Sequence, residues 1–440
     1  MTLKAGTAVR DISPTKPMFL VGYPHVERTS TGINDPLLAS ALCLSDGGRT
    51  VVMVAVDILM FDPFTARRLR REVAAAAGVA QEDVFVSCTH THSGPVTCGF
   101  LGCQDDPTWP ALDTDYLDRV VGGVVGAAAA AAACQRTAEL ASTSVMVDGV
   151  GCNRHDPNGA RDPEVGVVAV RDARSKEIFA VVTSYCMHPT VMHEDSKLVS
   201  SDFPGYARKR LSGKLGPGLT ALHLTGPEGN QSPRYHVKGQ TFAEAERLGN
   251  ILGDFVLGGI EAMPDGAFKA NVVLKSALAE VKLIPRPMPS LAEAEKVLKE
   301  RVAHFEELKR RNAGHGPIRT AECAVFGAEE SVVLAKCQAN GSLAKQVAAY
   351  TPLEVQALRL GDCCLAGFPG EIFVEYGLEL KRRNTGRKVF PVCLVNGEMQ
   401  GYVVTPEAAA QGGYEASNAM FAPESGALMV GALDKLVKSL

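Results

Sequence analysis

The sequence predicts an α/β fold, with mixed β-sheets flanked by helices in a single large domain that spans residues 1–440. Strand-like and helix-like segments alternate along the chain, which is typical of α/β proteins. Candidate functional side chains follow the predicted strands, where loops on a rigid scaffold usually carry function. Hydrophobic residues make up 46% and charged residues 21% of the chain, so the composition allows a large hydrophobic core.

The first 140 residues are predicted to be rich in strands, with two helices. The amphipathic, arginine-rich pattern from residue 64 ends at Gly78, a typical helix C-terminus. A later alanine run is a helix pattern because alanine is the best helix former. Asp57 interrupts an apolar run and needs a partner if it is buried; it either supports a site or is an ordinary aspartate at a strand end. Strands are predicted at residues 8–14, 38–44, 50–60 and 84–86, and helices at 64–78 and 115–134.

The rest of the chain continues the alternation. Residues 165–185 are predicted to form a hairpin, and a helical excursion at about 285–316 is bounded by a proline-rich stretch and by Gly314 and Gly316. Strands are predicted at residues 145–150, 165–170, 178–185, 219–224, 271–283, 355–360, 363–368 and 389–396. Helices are predicted at residues 206–211, 242–262, 291–311, 373–383 and 425–440.

Composition and charge exclude several classes of protein. The formal net charge of −4 leaves no basic footprint for nucleic acid. No apolar run reaches the ~20 residues of a transmembrane segment, and the N-terminus lacks the apolar region of a signal peptide. We therefore expect a cytoplasmic protein with no nucleic-acid partner. Its twelve cysteines are expected to be reduced and mostly buried as small apolar side chains.

The stretch Val84-Phe-Val-Ser-Cys-Thr-His-Thr-His-Ser-Gly-Pro95 carries the clearest functional signal. Residues two apart in a strand point to the same face, so His90 and His92 would present two imidazoles side by side at the strand end. Neutral imidazole suits zinc, copper, nickel and iron. The pair therefore indicates half of a metal site, and the alternative is a polar loop with two exposed histidines.

Other candidate residues follow other predicted strands. His188 follows the strand at 178–185, and zinc sites draw their ligands from separate elements of a rigid sheet. Glu371 opens a helix, where it would also interact favourably with the helix dipole. Arg154 lies in a turn-rich loop and would either clamp a carbonyl or carboxylate or be an exposed loop arginine. The glycine-rich loop at 225–234 lacks the ending of a phosphate-binding P-loop.

Eight short motifs occur in one order along nearly the whole chain. They are Thr89-His-Thr-His-Ser-Gly-Pro95, Asn153-Arg154, His188-Pro-Thr190, Ser200-Ser-Asp202, Gly229-Asn-Gln-Ser-Pro233, Pro369-Gly-Glu371, Gly401-Tyr402 and Tyr414-Glu-Ala416. This ordered set resembles the catalytic N-terminal domain of the neutral/alkaline non-lysosomal ceramidase family. The resemblance implies a ceramidase-like zinc hydrolase domain over residues 1–440. Full ceramidases also carry a secretion signal and a C-terminal immunoglobulin-like domain, and we expect neither here.

The resemblance implies that the cofactor is a zinc ion. Carried over by position, its ligands are His90, His188, Glu371 and Tyr402. A tyrosine ligand requires the cation to lower the pKa of the phenol, as it does for metal-bound thiols and water.

The same resemblance assigns catalytic roles to His92, Arg154, Tyr414 and Ser232. The first three match the residues that surround the substrate carbonyl, with His92 as proton carrier and the other two as partners of the carbonyl or oxyanion. Ser232 matches the family's assigned nucleophile, but the usual Gly-Asp-Val-Ser-Pro is Gly229-Asn-Gln-Ser-Pro233 here. Because Asn230 cannot act as a base, Ser232 is expected to be a positioning residue and metal-activated water the attacking group.

We therefore expect a zinc-dependent hydrolase that cleaves a linear amide (N-acyl) bond. With no secretion signal or immunoglobulin-like domain expected, the substrate is predicted to be a soluble or moderately apolar small-molecule amide rather than membrane ceramide. An esterase or lactonase on the same metal site and a true ceramidase are alternatives, and a metal-free binding protein is a further one. The oligomeric state does not follow from the sequence.

Overall fold

The computed structural model describes residues 2–23, 26–103 and 106–440, and strands and helices alternate as predicted. The strands are β1 Lys4–Asp11, β2 Gly32–Ile33, β3 Leu38–Ser45, β4 Thr50–Val56, β5 Val84–Cys88, β6 Arg136–Met146, β7 Cys152–Asn153, β8 Glu164–Asp172, β9 Ile178–Tyr185, β10 Leu198–Val199, β11 Thr220–Thr225, β12 Gln231–Ser232, β13 Leu274–Val281, β14 Leu353–Leu360, β15 Cys363–Gly367, β16 Glu371–Ile372, β17 Lys388–Val392 and β18 Tyr402–Val403. The helices are α1 Pro63–Ala77, α2 Thr114–Ala133, α3 Asp202–Leu215, α4 Phe242–Glu261, α5 Leu291–Arg310, α6 His315–Ala339, α7 Ser342–Tyr350, α8 Val374–Arg383, α9 Pro406–Gln411, α10 Tyr414–Asn418 and α11 Glu424–Ser439. The predicted α/β class is confirmed.

Two mixed sheets form the centre of the fold. The larger has eight strands in the order β11-β9-β8-β6-β1-β3-β4-β5, and the smaller has four in the order β13-β14-β15-β17. Most neighbouring strands are antiparallel, but β11 is parallel to β9, β4 to β5, and β15 to β17. Two-stranded ladders join β2 with β10, β7 with β12 and β16 with β18.

Alternate residues of the central strands enter different layers, as the two-residue period of a strand requires. In β4, Val52 and Val54 pack with α1 and α2, whereas Met53 faces the smaller sheet. In β8, Val167 packs under α3 and α4, whereas Val168 faces the smaller sheet. Helices α8 and α11 cover the other face of the smaller sheet. The result is four layers, helix, sheet, sheet and helix.

The eight-stranded sheet curls until its edge strands β5 and β11 meet. The Thr225 hydroxyl at the end of β11 donates to the Thr89 carbonyl just beyond β5, at 2.8 Å. The chain after β17 bridges the two edges, because the Cys393 N–H donates to the Thr225 carbonyl at 2.7 Å and Val395 pairs with Ser87. Loops that leave opposite edges of the sheet are thereby brought to one place.

Local sequence signals fix several helix ends. Helix α1 begins after Asp62, whose side chain accepts the Thr65 N–H, and it ends at Gly78 in the left-handed conformation, as predicted. Helix α5 begins with a capping box formed by Ser290 and Glu293. The strong patterns at α1, α2, α4 and α5 gave helix bounds that agree with the structure to within a residue or two.

Three consecutive helices, α5, α6 and α7, occupy residues 291–350, where one helix and an excursion ending near residue 316 were expected. Helix α6 was missed because its pattern is not cleanly amphipathic. Its buried residues include Arg319 as well as Ala321 and Leu334, and it carries Gly327 in its interior. A charged buried residue and an internal glycine both weaken the helix signal in a sequence.

The strand predicted at residues 145–150 is wrong in its bounds. The structure places the strand earlier, at β6, which ends at Met146. The first part of β6 mixes exposed and buried positions, so its sequence lacks a continuous apolar run.

Helix α2 is the helix, among the described residues, with the length and composition to cross a membrane. It packs on β1, β3 and β4, and Val120, Val124 and Ala128 are fully buried in the core between them. One face of α2 is therefore packed on the sheet, and a single helix of this kind is weak evidence for a membrane span.

Candidate metal centre and active site

Three histidines present the same ring nitrogen to one small region. Their Nδ1 atoms contact main-chain carbonyl oxygens, that of Leu59 for His90 at 2.9 Å, that of Gly22 for His92 at 2.9 Å and that of Glu228 for His188 at 2.8 Å. A carbonyl oxygen only accepts hydrogen bonds, so each Nδ1 carries a proton and each Nε2 is left to face this region. The ring centres lie 4.9 Å apart for His90 and His92 and 4.9 Å apart for His90 and His188.

Glu371 meets two of these nitrogens directly. Its Oε2 lies 3.0 Å from Nε2 of His188 and 3.3 Å from Nε2 of His90. Burial and the nearby Arg154 lower the pKa of His188 to about 4, so its ring is neutral at pH 7. The unprotonated Nε2 of His188 therefore faces the Glu371 carboxylate with no proton between them, and Nε2 of His90 lies beside both. A divalent cation satisfies all three groups, and a set of two imidazoles and a carboxylate suits zinc.

The main chain around His90 is held in an unusual conformation. His90 has φ of 66°, in the left-handed region that non-glycine residues seldom adopt. The preceding Thr89 donates its hydroxyl to Asp57 at 3.1 Å, and Asp57 is fully buried and ion-paired with Arg208. Asp57 thus supports the site from behind, which was one of its two sequence interpretations.

Tyr402 is brought to the centre by strand pairing. Strands β16 and β18 are parallel, with Glu371 directly opposite Tyr402. The Tyr402 ring lies 5.7 Å from that of Tyr414, and the Arg154 guanidinium carbon lies 5.3 Å from the Tyr402 ring centre. Burial and the charge of Glu371 raise the pKa of Tyr402 well above its usual value. A cation beside the phenol would oppose that shift.

Arg154 is buried, so the interpretation as an exposed loop arginine was wrong. Its Nε donates to Glu415 at 2.5 Å, and His155 contacts the other Glu415 oxygen at 2.9 Å. Burial would raise the pKa of Glu415, but Arg154 and His155 outweigh it and lower that pKa to about 2. Nη2 of Arg154 is buried and has no hydrogen-bond partner among the described residues, although the Tyr402 side chain lies nearby.

Ser232 lies near this centre but without a base. It is buried in the β12–β7 ladder, and its hydroxyl accepts the Arg234 N–H at 3.0 Å. No described histidine or carboxylate is hydrogen-bonded to it. The neighbouring Asn230 accepts the Val374 N–H at the start of α8, at 3.0 Å, and donates to Glu375 at 2.9 Å. Asn230 therefore ties the glycine-rich loop to α8 and cannot activate the serine.

Glu228, in the glycine-rich loop, was missed by the sequence analysis. It is fully buried, and neither carboxylate oxygen accepts a hydrogen bond from the described residues, although the Cys393 thiol lies nearby. One ligand atom from each of His90, His188, Glu228 and Glu371 lies within 4.8 Å of the other three. Burial and Glu371 raise the pKa of Glu228 well above its usual value. The signal that could have identified Glu228 is an acidic residue in a loop after an apolar strand. The loop was considered as a phosphate-binding loop, so its carboxylate was overlooked.

Two cavities meet at the centre, and His92, Tyr402 and Tyr414 line both. The first, the apolar cavity, has a volume of about 80 Å³. Its apolar walls come from Leu59, Met60, Phe100, Trp109, Leu334 and Met420. The second, the basic chamber, has a volume of about 530 Å³. Its charged and titratable walls are Arg154, His155, His193, Arg234, Arg301, His304, Arg319 and Glu415, and Ser232 also lines it.

The structure therefore places the predicted residues together. His90, His188 and Glu371 are in direct contact, and Tyr402, His92 and Tyr414 line the adjoining cavities. Arg154 and Ser232 line the basic chamber. Glu228 and Glu415 are the additions that the sequence did not reveal.

Comparisons with known proteins point to one family. The family model described as neutral/alkaline non-lysosomal ceramidase, N-terminal, matches residues 4–216. Neutral ceramidase of Pseudomonas aeruginosa is 23% identical over 412 residues, covering 82% of this chain and 60% of that protein. Neutral ceramidase A of Dictyostelium discoideum is 24% identical over 240 residues, covering 50% of this chain and 33% of that protein. The chain thus spans less than two thirds of the length of these relatives.

Solved structures share the fold. A structure described as ceramidase complexed with C2 superposes with a TM-score of 0.76 at 19% identity, covering 99% of this chain and 75% of that one. The crystal structure of neutral ceramidase from Pseudomonas aeruginosa gives a TM-score of 0.74 at 20% identity, covering 99% of this chain and 74% of that one. At these identities the likeness establishes the fold.

Proposed function

This chain belongs to the neutral/alkaline non-lysosomal ceramidase family, and from that premise we propose that it is a zinc-dependent hydrolase of linear amides. The observation that carries the proposal is the convergence of the Nε2 atoms of His90 and His188 on the Glu371 carboxylate, with the His188 ring neutral. Such a donor set is satisfied by a divalent cation.

Zinc would be held by His90, His188, Glu371 and Tyr402, with Glu228 close enough to join them. When bound, it would supply a Lewis acid that polarises a carbonyl and lowers the pKa of a water molecule towards neutrality. The main-chain carbonyls that accept from the two Nδ1 atoms fix both ring tautomers, which is the usual outer support of histidine ligands.

The remaining residues are placed to handle charge and protons. In the overall reaction the C–N bond breaks, the water oxygen joins the acyl carbon, and a proton moves to the leaving nitrogen. Nε2 of His92, at the junction of the two cavities, has no partner among the described residues, and His92 would carry that proton. Arg154 and Tyr414 would hold the carbonyl oxygen as negative charge develops.

Ser232 is proposed to position the substrate rather than to attack it. A serine nucleophile needs an adjacent base, and the Ser232 hydroxyl, which accepts the main-chain N–H of Arg234, has no base beside it among the described residues. Water is therefore the attacking group in this proposal.

The substrate is proposed to be a soluble or moderately apolar amide with a short acyl group. A cavity holds one water when roughly 10–15 Å³ is open to the centre of a water-sized sphere. By the same measure the apolar cavity has about 80 Å³, so it would take roughly six non-hydrogen atoms. A long ceramide acyl chain would extend beyond it.

The proposal is tested by comparing matched N-hexanoyl amides and hexanoyl esters before and after chelation of the metal. Amide turnover that disappears on chelation and returns with zinc supports it. Turnover of esters alone would make the protein an esterase, and full amide turnover after complete metal removal would refute the zinc requirement. Faster turnover of a long-chain ceramide in micelles would make it a true ceramidase.

A further inference from the structure

The charged side chains that line the basic chamber are mostly positive. Arg154 is paired with Glu415, and Arg319 is paired with Glu194 at 2.7 Å. By contrast, Arg234 and Arg301, which also line the chamber, have no carboxylate within ion-pair distance among the described residues. The chamber therefore carries two positive charges that no described carboxylate neutralises.

Arg234 is held in place by neutral groups only. Its Nη1 donates to the Thr320 hydroxyl at 3.0 Å and to the Arg154 carbonyl at 3.3 Å, and its Nη2 contacts the Cys323 sulfur at 3.6 Å. The side chain is half-buried. Taking a cation partly out of water without a counter-ion costs free energy, which an anionic ligand would offset.

A second donor points to the same space from a more deeply buried position. Arg154 is 7% exposed, and its Nη2 has no hydrogen-bond partner among the described residues. Arg301, in α5, also lines the chamber. Its Nη2 lies beside Gly412, 3.5 Å from the position that a Cβ on that glycine would occupy. Guanidinium groups from three separate segments thus border one cavity, an arrangement suited to planar anions.

The chamber adjoins the apolar cavity at the reacting centre, because His92, Tyr402 and Tyr414 line both. An amide whose carbonyl lies at that junction would have one half in the apolar cavity and the other half in the basic chamber. We propose that the amine half of the substrate carries an anion (a carboxylate, sulfonate or phosphate) that Arg234 and Arg301 bind. This inference rests on the proposed function and names the class of substrate.

The test compares N-hexanoyl-glycine with its neutral counterpart N-hexanoyl-glycinamide, following hexanoate release from both. N-hexanoyl-taurine and N-hexanoyl-phosphoethanolamine distinguish the three kinds of anion. Hydrogen bonds between charged groups are stronger than those between neutral groups. We therefore expect kcat/KM for the preferred anionic substrate to be roughly 10- to 100-fold above that for N-hexanoyl-glycinamide.

Arg234→Gln and Arg301→Gln identify the residues responsible. Each should lower kcat/KM for the preferred anionic substrate at least tenfold more than for glycinamide, mainly through KM. Arg310→Gln is the matched control, since Arg310 lies on the exposed face of the same helix as Arg301 and lines neither cavity. It should leave both substrates unaffected.

The outcomes separate the two proposals. Equal kcat/KM for the anionic and neutral substrates, or equal losses for both in the arginine variants, would overturn the anion-binding chamber while the amidase stands. If no substrate is cleaved, the anion-binding chamber is tested by the affinity of the zinc-loaded protein for N-hexanoyl-glycine, measured by calorimetric titration. Binding that weakens at least tenfold in Arg234→Gln supports the chamber although the amidase has failed, and no difference refutes it.

Discussion

At the scale of single residues, the centre is defined by which polar atoms lack a partner. The Nε2 atoms of His90 and His92 and both oxygens of Glu228 are buried without hydrogen bonds among the described residues. Unpaired buried polar atoms are rare in folded proteins and call for an ion, a water or a ligand. His90 and Glu228 belong, with His188 and Glu371, to a group that could hold a metal ion, and His92 belongs to a second such group with His90 and His188.

Replacing Glu228 by glutamine tests whether its carboxylate belongs to the metal centre. Glutamine keeps the shape but removes the negative charge, so zinc affinity should fall roughly 10- to 100-fold. Competition with a chromogenic chelator measures the change. Glu375→Gln is the control, because Glu375 contacts Asn230 in the same loop but lies outside the metal cluster. Unchanged affinity in Glu228→Gln would show that Glu228 is not part of the centre.

Replacing Glu415 by glutamine tests the ion pair that holds Arg154. Removing one partner of a buried pair leaves an uncompensated charge and typically costs about 3–5 kcal/mol. Chemical denaturation at pH 7 should show a loss of that order. The folded pKa of Glu415 is lowered to about 2, so its stabilisation is complete above the unfolded pKa and is lost as pH falls towards 2. The two proteins should therefore converge in stability on acidification, and a difference independent of pH would argue against the pair.

At the scale of elements, helix α6 shapes the site through a close approach that only glycine allows. A Cβ added at Gly327 would lie 2.9 Å from the Tyr414 Cα and 3.0 Å from its carbonyl oxygen, at the start of α10. Leu334, one wall of the apolar cavity, lies on the same helix. Helix α6, which was not predicted from the sequence, thus packs against Tyr414.

Gly327→Ala should separate catalysis from metal binding. The added methyl group displaces α10 and Tyr414, and small misplacements at a reacting centre can cost about 100-fold in rate. We expect kcat/KM to fall by that order while zinc content stays at the wild-type level, because the proposed metal ligands lie on other elements. Gly213→Ala in α3 is the control, since nothing lies within 4 Å of its added Cβ. Wild-type activity in Gly327→Ala would contradict the role given to α6.

Elements with one dominant pattern could be predicted from the sequence, and those with mixed patterns could not. The strand β9 and the helices α2 and α4 have continuous or periodic apolar residues, and their bounds agree closely with prediction. The first half of β6 and the whole of α6 combine exposed, buried and charged positions. Tertiary packing decides their structure, so local sequence carries too little signal.

At the scale of the whole molecule, the site depends on how the large sheet curls. His90 follows β5 and Glu228 follows β11, which are opposite edges of the eight-stranded sheet, yet Thr225 and Thr89 are hydrogen-bonded. Strand ends could be recognised in the sequence, but which edges meet is a property of the complete fold. The resemblance to the family, and not the residue pattern, predicted that Tyr402 and Glu371 belong to the same site.

The most direct test of the central claim is the location of zinc by anomalous diffraction from crystals of the purified protein, together with elemental analysis. One zinc per chain is predicted, bounded by His90, His188, Glu371 and Tyr402, and zinc should be lost when His90 or His188 is replaced by alanine. An anomalous peak elsewhere, or stoichiometric zinc in both alanine variants, would contradict the proposed metal centre.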